Sequence, residues 1–363
     1  MKKRKVTTRD VAARCGISQT TVSMILSEKE GMHFAKETIE KVRSTAEKMG
    51  YQYKKRAPKE ENLAGKTIMI MVPSVNSQYY TTIISAVTEY AAKNYLNISI
   101  CSTMREKKRE EYYLRLCEQS GFYGIICTYP PQAIESINQF YKKHPFVLIS
   151  DYNPELNVGL VELDSYKSGK IVGQHLLEHG HREIGYMTTP LNQSEIPRIR
   201  RLDGIKAAFI EAGLSEDSVH TYTITDYQWK NYCTGNRYYE AGVLLTEFYL
   251  KNPNNITAFI GNNDIMSIGI MDCLQKHGYR IPEDYSICGF DNTLSTAFYG
   301  ISLTSVDHSL DEKGKVAVDM LISQMQFLTH SKTKKQSPVM RLLYEPVLFT
   351  RNSTGPARKK AGR

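Results

Sequence analysis

VTTRDVAARCGISQTTVSMIL, residues Val6 to Leu26, is the stretch from which the rest of the chain is read. Thr7-Thr8-Arg9-Asp10 opens a helix whose apolar face is Val11, Ala12 and Cys15. Gly16 ends it, because a residue without a Cβ enters positive φ at little cost. Ser18 stands where it can cap a second helix through the free amides of Thr20 and Thr21. Val22, Ile25 and Leu26 form that helix's inner stripe at three-to-four spacing. A third helix is expected over Ala35 to Met49, burying Ile39, Val42, Ala46 and Met49.

The outward side of the second helix carries Gln19, Thr20, Ser23 and Met24. Short polar side chains at a helix N-terminus suit the major groove of DNA, where they approach base edges. Charge points the same way. Residues 1 to 66 hold 16 Lys+Arg against 8 Asp+Glu, and residues 351 to 363 add five basic residues and no acid. The formal net charge is +9, so the intervening body is mildly acidic and the positive charge sits where a polyanion would bind.

These residues resemble the helix-turn-helix of the LacI (lactose repressor) family of bacterial transcription regulators. Asp10-Val11-Ala12, Gly16-Ile17-Ser18, Thr21-Val22-Ser23, Thr38 and Lys41-Val42 carry the resemblance. It implies base reading by Gln19 and Thr20, with Thr7, Ser18 and Ser23 on phosphates. Met24 departs from the family's usual arginine and Ser27 from its asparagine, so an operator different from the commonest one is expected. The loop Glu28 to His33 is about two residues longer than the family's.

Residues 51 to 66 form a polar connector interrupted by Pro58. In the family this stretch holds a hinge helix that folds on DNA and wedges a leucine into the minor groove. Leu63 is read either as that wedge or as a linker residue, with Ala57 as the competing helix centre.

From Lys66 onward apolar strands alternate with helices. TIMIMV, NISICS, GIICTY and FVLISD read as one series of buried parallel strands; EIGYMT, HTYTIT, ITAFIG and YSICGF read as a second. Helices are expected near 79–94, 107–119, 132–142, 166–179, 198–212, 236–251 and 265–277. The fold class is therefore an N-terminal three-helix helix-turn-helix domain plus two doubly wound parallel-sheet α/β subdomains facing a cleft. The resemblance extends over Asp164, Gly169, Gly180-His181-Arg182, Arg201-Leu202-Asp203-Gly204, Asn263-Asp264 and Gly289-Phe290-Asp291, and implies the periplasmic-binding-protein fold. The expected boundaries are 1–50 for DNA binding, 51–66 for the hinge and 67–350 for regulation. Within the last, one subdomain takes 67–164 and 292–325 and the other 165–291 and 326–350, with crossovers near Asp164, Asp291 and residue 325. Residues 351–363 are expected to form a disordered basic tail.

Arg201, Asn263 and Asp291 fall at ends of strands or starts of helices, where ligands bind in open α/β sheets. A forked donor, an amide and a carboxylate together grip hydroxyls or an anion. The competing reading of all three is capping. Tyr79 and Tyr80 match a pair of aromatics that often faces the cleft in the family. Trp229, the sole tryptophan, is placed in a loop of the second subdomain and joins these residues as an effector-binding candidate.

The seven cysteines are odd in number and scattered, and neither disulfides, metal ligation nor a cofactor is expected. No GxSxG, Walker loop or GxGxxG follows a strand, so an enzyme is not expected. The basic N-terminus lacks a secretory h-region, and no run approaches the roughly 20 apolar residues of a membrane span. The chain is thus read as a cytoplasmic, homodimeric or tetrameric repressor of a pseudopalindromic operator in double-stranded DNA, controlled by a small molecule such as a sugar. Two alternatives stay open: control by a protein partner, or a solute receptor without a DNA role.

Overall fold

The computed structural model describes residues 6–26, 34–51, 65–191, 196–231, 236–330 and 337–358. The chain divides into two compact units, Met1–Leu63 and Ala64–Arg363.

The first unit holds α1 (Thr8–Cys15), α2 (Gln19–Leu26) and α3 (Lys36–Lys48). Thr7 and Asp10 form a reciprocal capping box at the start of α1, and Gly16 ends it at φ 70°. Each stripe foreseen from the spacing is inside: Val11, Ala12, Cys15, Val22, Ile25, Leu26, Val42 and Ala46 form the core, with Ile39 and Met49 packed against it.

The second unit begins with β1 (Thr67–Val72), α4 (Gln78–Lys93), β2 (Asn97–Ser102), α5 (Lys107–Gln119), β3 (Ile125–Cys127), α6 (Ile134–Tyr141), β4 (Phe146–Ser150) and β5 (Gly159–Glu162). It continues through α7 (Ser165–Glu178), β6 (Ile184–Thr188), α8 (Ile196–Glu211), β7 (Val219–Thr223), α9 (Asp226–Asn231), α10 (Arg237–Lys251), β8 (Ala258–Gly261), α11 (Asp264–Lys276) and β9 (Ser286–Asp291). Last come β10 (Thr304–Asp307), α12 (Leu310–His330), β11 (Arg341–Leu343) and β12 (Val347–Phe349). One sheet runs β11-β5-β4-β3-β1-β2 and the other β12-β10-β9-β8-β6-β7. Among the described residues, every strand pair is parallel except β10 with β12.

Two of the three expected crossovers move. The chain does leave the first sheet after β5, beside Asp164, but it does not return at Asp291. A 3-10 turn at Leu294–Ala297 brings it back so that Thr304–Asp307 pairs with Cys288–Asp291 in the second sheet. The return falls between Asp307 and Leu310, where α12 crosses to pack on α4, β3, β4 and β5. The third crossing lies between Leu343 and Val347 rather than at residue 325, because β11 still pairs with β5.

Residues 351–358 also correct the sequence reading of a disordered tail. Ser353 is buried; the Ile287 amide donates to its carbonyl at 2.7 Å, and its own Oγ donates to the Ile287 carbonyl at 2.6 Å. Arg351 donates to Asn292 Oδ1 and to the Leu303 carbonyl. The polar residues that suggested disorder are hydrogen-bond partners for Ile287 in β9 and for Asn292 and Leu303 beyond it. Residues 359–363 lie outside the described residues.

Candidate functional site

Ser18, Gln19, Thr20 and Ser23 are exposed on α2, while Met24 is half-buried. Ser18 Oγ accepts from the Thr21 amide at 3.0 Å, so the second of the two foreseen amides is the one it caps. Gln19 Nε2 donates to Thr8 Oγ1 at 3.2 Å, which ties the start of α2 to α1. Thr7 is exposed, but its hydroxyl is bonded to Asp10 Oδ2 at 2.7 Å as part of the cap. α2 itself carries no charged side chain. Its outward face offers hydroxyls and one amide, groups that fit base edges and phosphate oxygens. Leu63, Ala57, Pro58 and the loop from Glu28 to His33 lie outside the described residues.

In the second unit a cleft opens at the carboxyl ends of the parallel strands of both sheets. Tyr79, Tyr80, Arg201, Asn263 and Asp291 all line it, together with residues the sequence reading did not select: Arg105, Tyr129, Ser150, Arg198, Tyr238 and Asn262. Tyr79 and Tyr80 begin α4 and meet edge to face at 5.0 Å. Arg105 donates to Tyr80 Oη at 3.1 Å. Arg198 donates to Thr189 Oγ1 at 2.6 Å and to Tyr238 Oη at 2.8 Å.

Arg201 is the best anchored of these groups. Its Nη1 donates to the Asn262 carbonyl at 2.6 Å, its Nη2 to His308 Nε2 at 3.1 Å, and its guanidinium lies 4.5 Å from the Phe290 ring centroid. For His308 to accept, Nε2 must be unprotonated. Burial, and then the Arg201 charge, hold that ring's pKa well below its usual value.

Asp291 ends β9 at φ 116°. Burial and then the neighbouring Asp264 raise its carboxyl well above the ordinary range. Asp264 is buried too and pushed up to about 7, against hydrogen bonds from Ser305 Oγ and from the amide and hydroxyl of Thr293. Two carboxyls so close in a dry site resist ionising together.

Among the described residues, the buried Arg201 Nε, Asn262 Oδ1 and Ser150 Oγ on the cleft lining have no partner. Leaving such a group unmade costs about 1–3 kcal/mol each. They come from both subdomains, and together they present a donor, an acceptor and a hydroxyl that can be either. Asn263 plays two parts: its Oδ1 caps α11 through the Met266 amide at 2.9 Å, while the residue still lines the cleft. Trp229 does not line it. It sits on helix α9 rather than in a loop and packs on the Tyr238 ring at 5.3 Å, backing a lining residue.

Arg198 was within reach of the sequence, one helical turn before Arg201 in the run RIRR. Ser150 and Asn262 were not, since their lack of partners depends on what the rest of the chain puts beside them.

A helix-turn-helix unit together with a two-lobed α/β body around a polar cleft defines a ligand-responsive DNA-binding regulator. The family model for periplasmic binding proteins and the sugar binding domain of the LacI family matches residues 65–344, and the chain belongs to that family. Similar proteins include the HTH-type transcriptional repressor PurR of Haemophilus influenzae (strain PittEE), 27% identical over 350 residues, 96% of this chain and 98% of that one. The ribose operon repressor of Escherichia coli (strain K12) is 25% identical over 351 residues, 96% of this chain and 99% of the relative. These relatives are transcriptional repressors. Among solved structures, a LacI family transcriptional regulator from Enterococcus faecium with bound ribose shares the fold at TM-score 0.67, with 23% identity, over 81% of this chain and all of that one. A transcriptional regulator CelR–cellobiose complex does so at TM-score 0.65, with 21% identity, over 96% of this chain and 100% of the other.

Proposed function

We propose that this LacI-family regulator is a repressor that reads a pseudopalindromic operator as a homodimer in the cytoplasm, and that a sugar bound in the cleft sets its operator affinity. The observation that carries the sugar reading is the set of unpartnered polar atoms, Arg201 Nε, Asn262 Oδ1 and Ser150 Oγ, beside tyrosine rings. Adjacent sugar hydroxyls both donate and accept, and a sugar's C–H face stacks on an aromatic ring. Arg201, Asn263 and Asp291 are assigned to effector hydroxyls, with Tyr79 and Tyr80 as the stacking wall. Gln19, Thr20 and Met24 are assigned to bases, with Thr7, Ser18 and Ser23 on phosphates. The role is regulatory rather than enzymatic, in keeping with the repressor relatives.

Ribose is bound in one structural neighbour and cellobiose in another, so these two head a panel of pentoses, hexoses and disaccharides. Trp229 packs behind the cleft-lining Tyr238, so its fluorescence reports binding. The expected result is that one sugar shifts that emission and changes operator affinity in a gel shift by about 5–150-fold. Operator binding should tighten or loosen sugar binding by the same factor. A panel in which no sugar moves either signal, while a phosphocarrier protein does, would replace the sugar by a protein partner.

A further inference from the structure

Away from the cleft, α10 and α11 cross at close range. A Cβ added to Gly242 would stand 2.3 Å from the Met266 carbonyl oxygen, and one added to Gly269 would stand 2.3 Å from that of Tyr239. This tight crossing fixes Glu247 on α10 against Cys273 on α11 and His277 at its C-cap. Cys273 Sγ lies 3.6 Å from Glu247 Oε1 and 4.0 Å from His277 Nδ1; His277 Nε2 lies 3.6 Å from Glu247 Oε2. One donor atom from each of the three falls within 4.8 Å of the other two.

We propose that Glu247, Cys273 and His277 form a binding site for a divalent transition metal ion of the Zn(II) class, with water in the fourth position. With metal–sulfur and metal–oxygen bonds of tetrahedral Zn(II), sulfur and oxygen ligands stand about 3.5 Å apart, close to the spacing already present. Only the His277 ring has to swing inward, and it is exposed at a helix end. That ring also has a second-shell partner: Nδ1 sits 2.9 Å from the Cys273 carbonyl. An Nδ1–H donated there leaves Nε2 as the ring's lone pair, the arrangement that orients metal-bound imidazoles. A thiolate, an imidazole and one carboxylate select Zn(II), Co(II) or Cu over Mg(II) and Ca(II), which prefer all-oxygen sets. The nearby Asp272 is otherwise engaged, by Lys276 at 2.7 Å and by Tyr239.

The sequence reading expected no metal because the seven cysteines are odd in number and scattered, with none read as standing at metal-ligand spacing from a histidine. The four-residue spacing of Cys273 and His277 gains meaning only when α10 brings Glu247 to the same face. The ion would staple the two helices that also carry Tyr238 and Asn263 to the cleft.

The test is a Co(II) titration of the full-length, tag-free, metal-stripped protein. One Co(II) per chain should produce a thiolate-to-metal charge-transfer band and the visible bands of four-coordinate Co(II), and stoichiometric Zn(II) should bleach both and raise the melting temperature. Cys273→Ser should abolish the charge-transfer band while melting cooperatively in chelator. His277→Gln, at an exposed position, supplies the same readout if the cysteine variant does not fold, and should weaken Co(II) binding at least 10-fold. Absence of the charge-transfer band in the parent, or its persistence in Cys273→Ser, overturns the proposal. The sugar panel does not bear on this result, so the two readings fail separately.

Discussion

Ser150 is buried at the end of β4, and its hydroxyl has no partner among the described residues. If that hydroxyl exists for a ligand, removing it should cost the ligand-free protein nothing. Ser150→Ala is expected to leave urea stability unchanged or to raise it by up to about 1 kcal/mol, while weakening effector binding. A loss of more than 1 kcal/mol without ligand would make Ser150 structural instead. Met24 makes the matching case on the DNA side. A methionine offers a base edge only apolar contact, whereas arginine reads guanine bidentately for about 1–3 kcal/mol of discrimination. Met24→Arg should therefore introduce guanine selection at one symmetric pair of operator positions, and a base-by-base operator scan with unaltered preferences would show that residue 24 reads no base. At this scale the sequence revealed groups whose position in a motif is their signal, such as Arg201 and Asp291. It was silent about Ser150 and Asn262, because an unsatisfied atom is defined by partners that only folding supplies.

Arg201 owes its place to a contact between two helices. A Cβ on Gly169 of α7 would fall 1.9 Å from the Arg201 carbonyl oxygen, and one on Gly204 of α8 would fall 2.0 Å from that of Tyr166. Two of the segments that carried the family resemblance, Asp164 to Gly169 and Arg201 to Gly204, are thus opposite halves of one crossing. Backbone cannot yield as a side-chain tip can, so Gly169→Ala has to separate the helices. It is expected to cost about 1–3 kcal/mol in urea unfolding and to weaken effector binding by displacing Arg201. Unchanged values for both would mean that the crossing relaxes freely. Elements of this kind were legible where they were long and periodic: the expected helix over 107–119 coincides with α5, and α7, α8, α10 and α11 lie within about two residues of expectation. β5 and β10 have only four residues, and β11 and β12 have three, too few to show a period of two. α12 escaped for another reason. Its inward stripe is diluted by Lys313, Gly314 and Gln324, the last accepting from the Phe146 amide at the start of β4.

Across the whole molecule, the C-terminal segment decides how firmly the second subdomain closes on itself, and His181 makes that closure depend on pH. His181 is buried, with Nδ1 2.8 Å from Thr257 Oγ1, and Nε2 3.0 Å from Ser286 Oγ and 3.1 Å from the Gly355 carbonyl. Nε2–H donating to Gly355 and Nδ1 accepting from Thr257 describe a neutral ring. Burial lowers its pKa to about 4. In the unfolded chain a histidine takes up its proton near pH 6.5, so between about 6.5 and 4 the unfolded state binds more protons than the folded one. Stability contributed by neutral His181 is full above pH 6.5 and is lost as pH falls toward 4, by on the order of 2–3 kcal/mol. His175 and His308, both lowered chiefly by burial, add slopes of the same sign. His181→Gln should flatten part of this slope in urea unfolding followed from pH 7 to pH 5. Ending the chain at Phe349 should do the same at a larger cost in stability. That cut removes the bonds of Ser353 to Ile287 and of Arg351 to Asn292, and it opens the Gly355 side of His181 to water. If the shortened chain kept both the full stability and the full slope, residues 351–358 would be a passive appendage, and the neutral state of His181 would have to come from Thr257 and Ser286 alone.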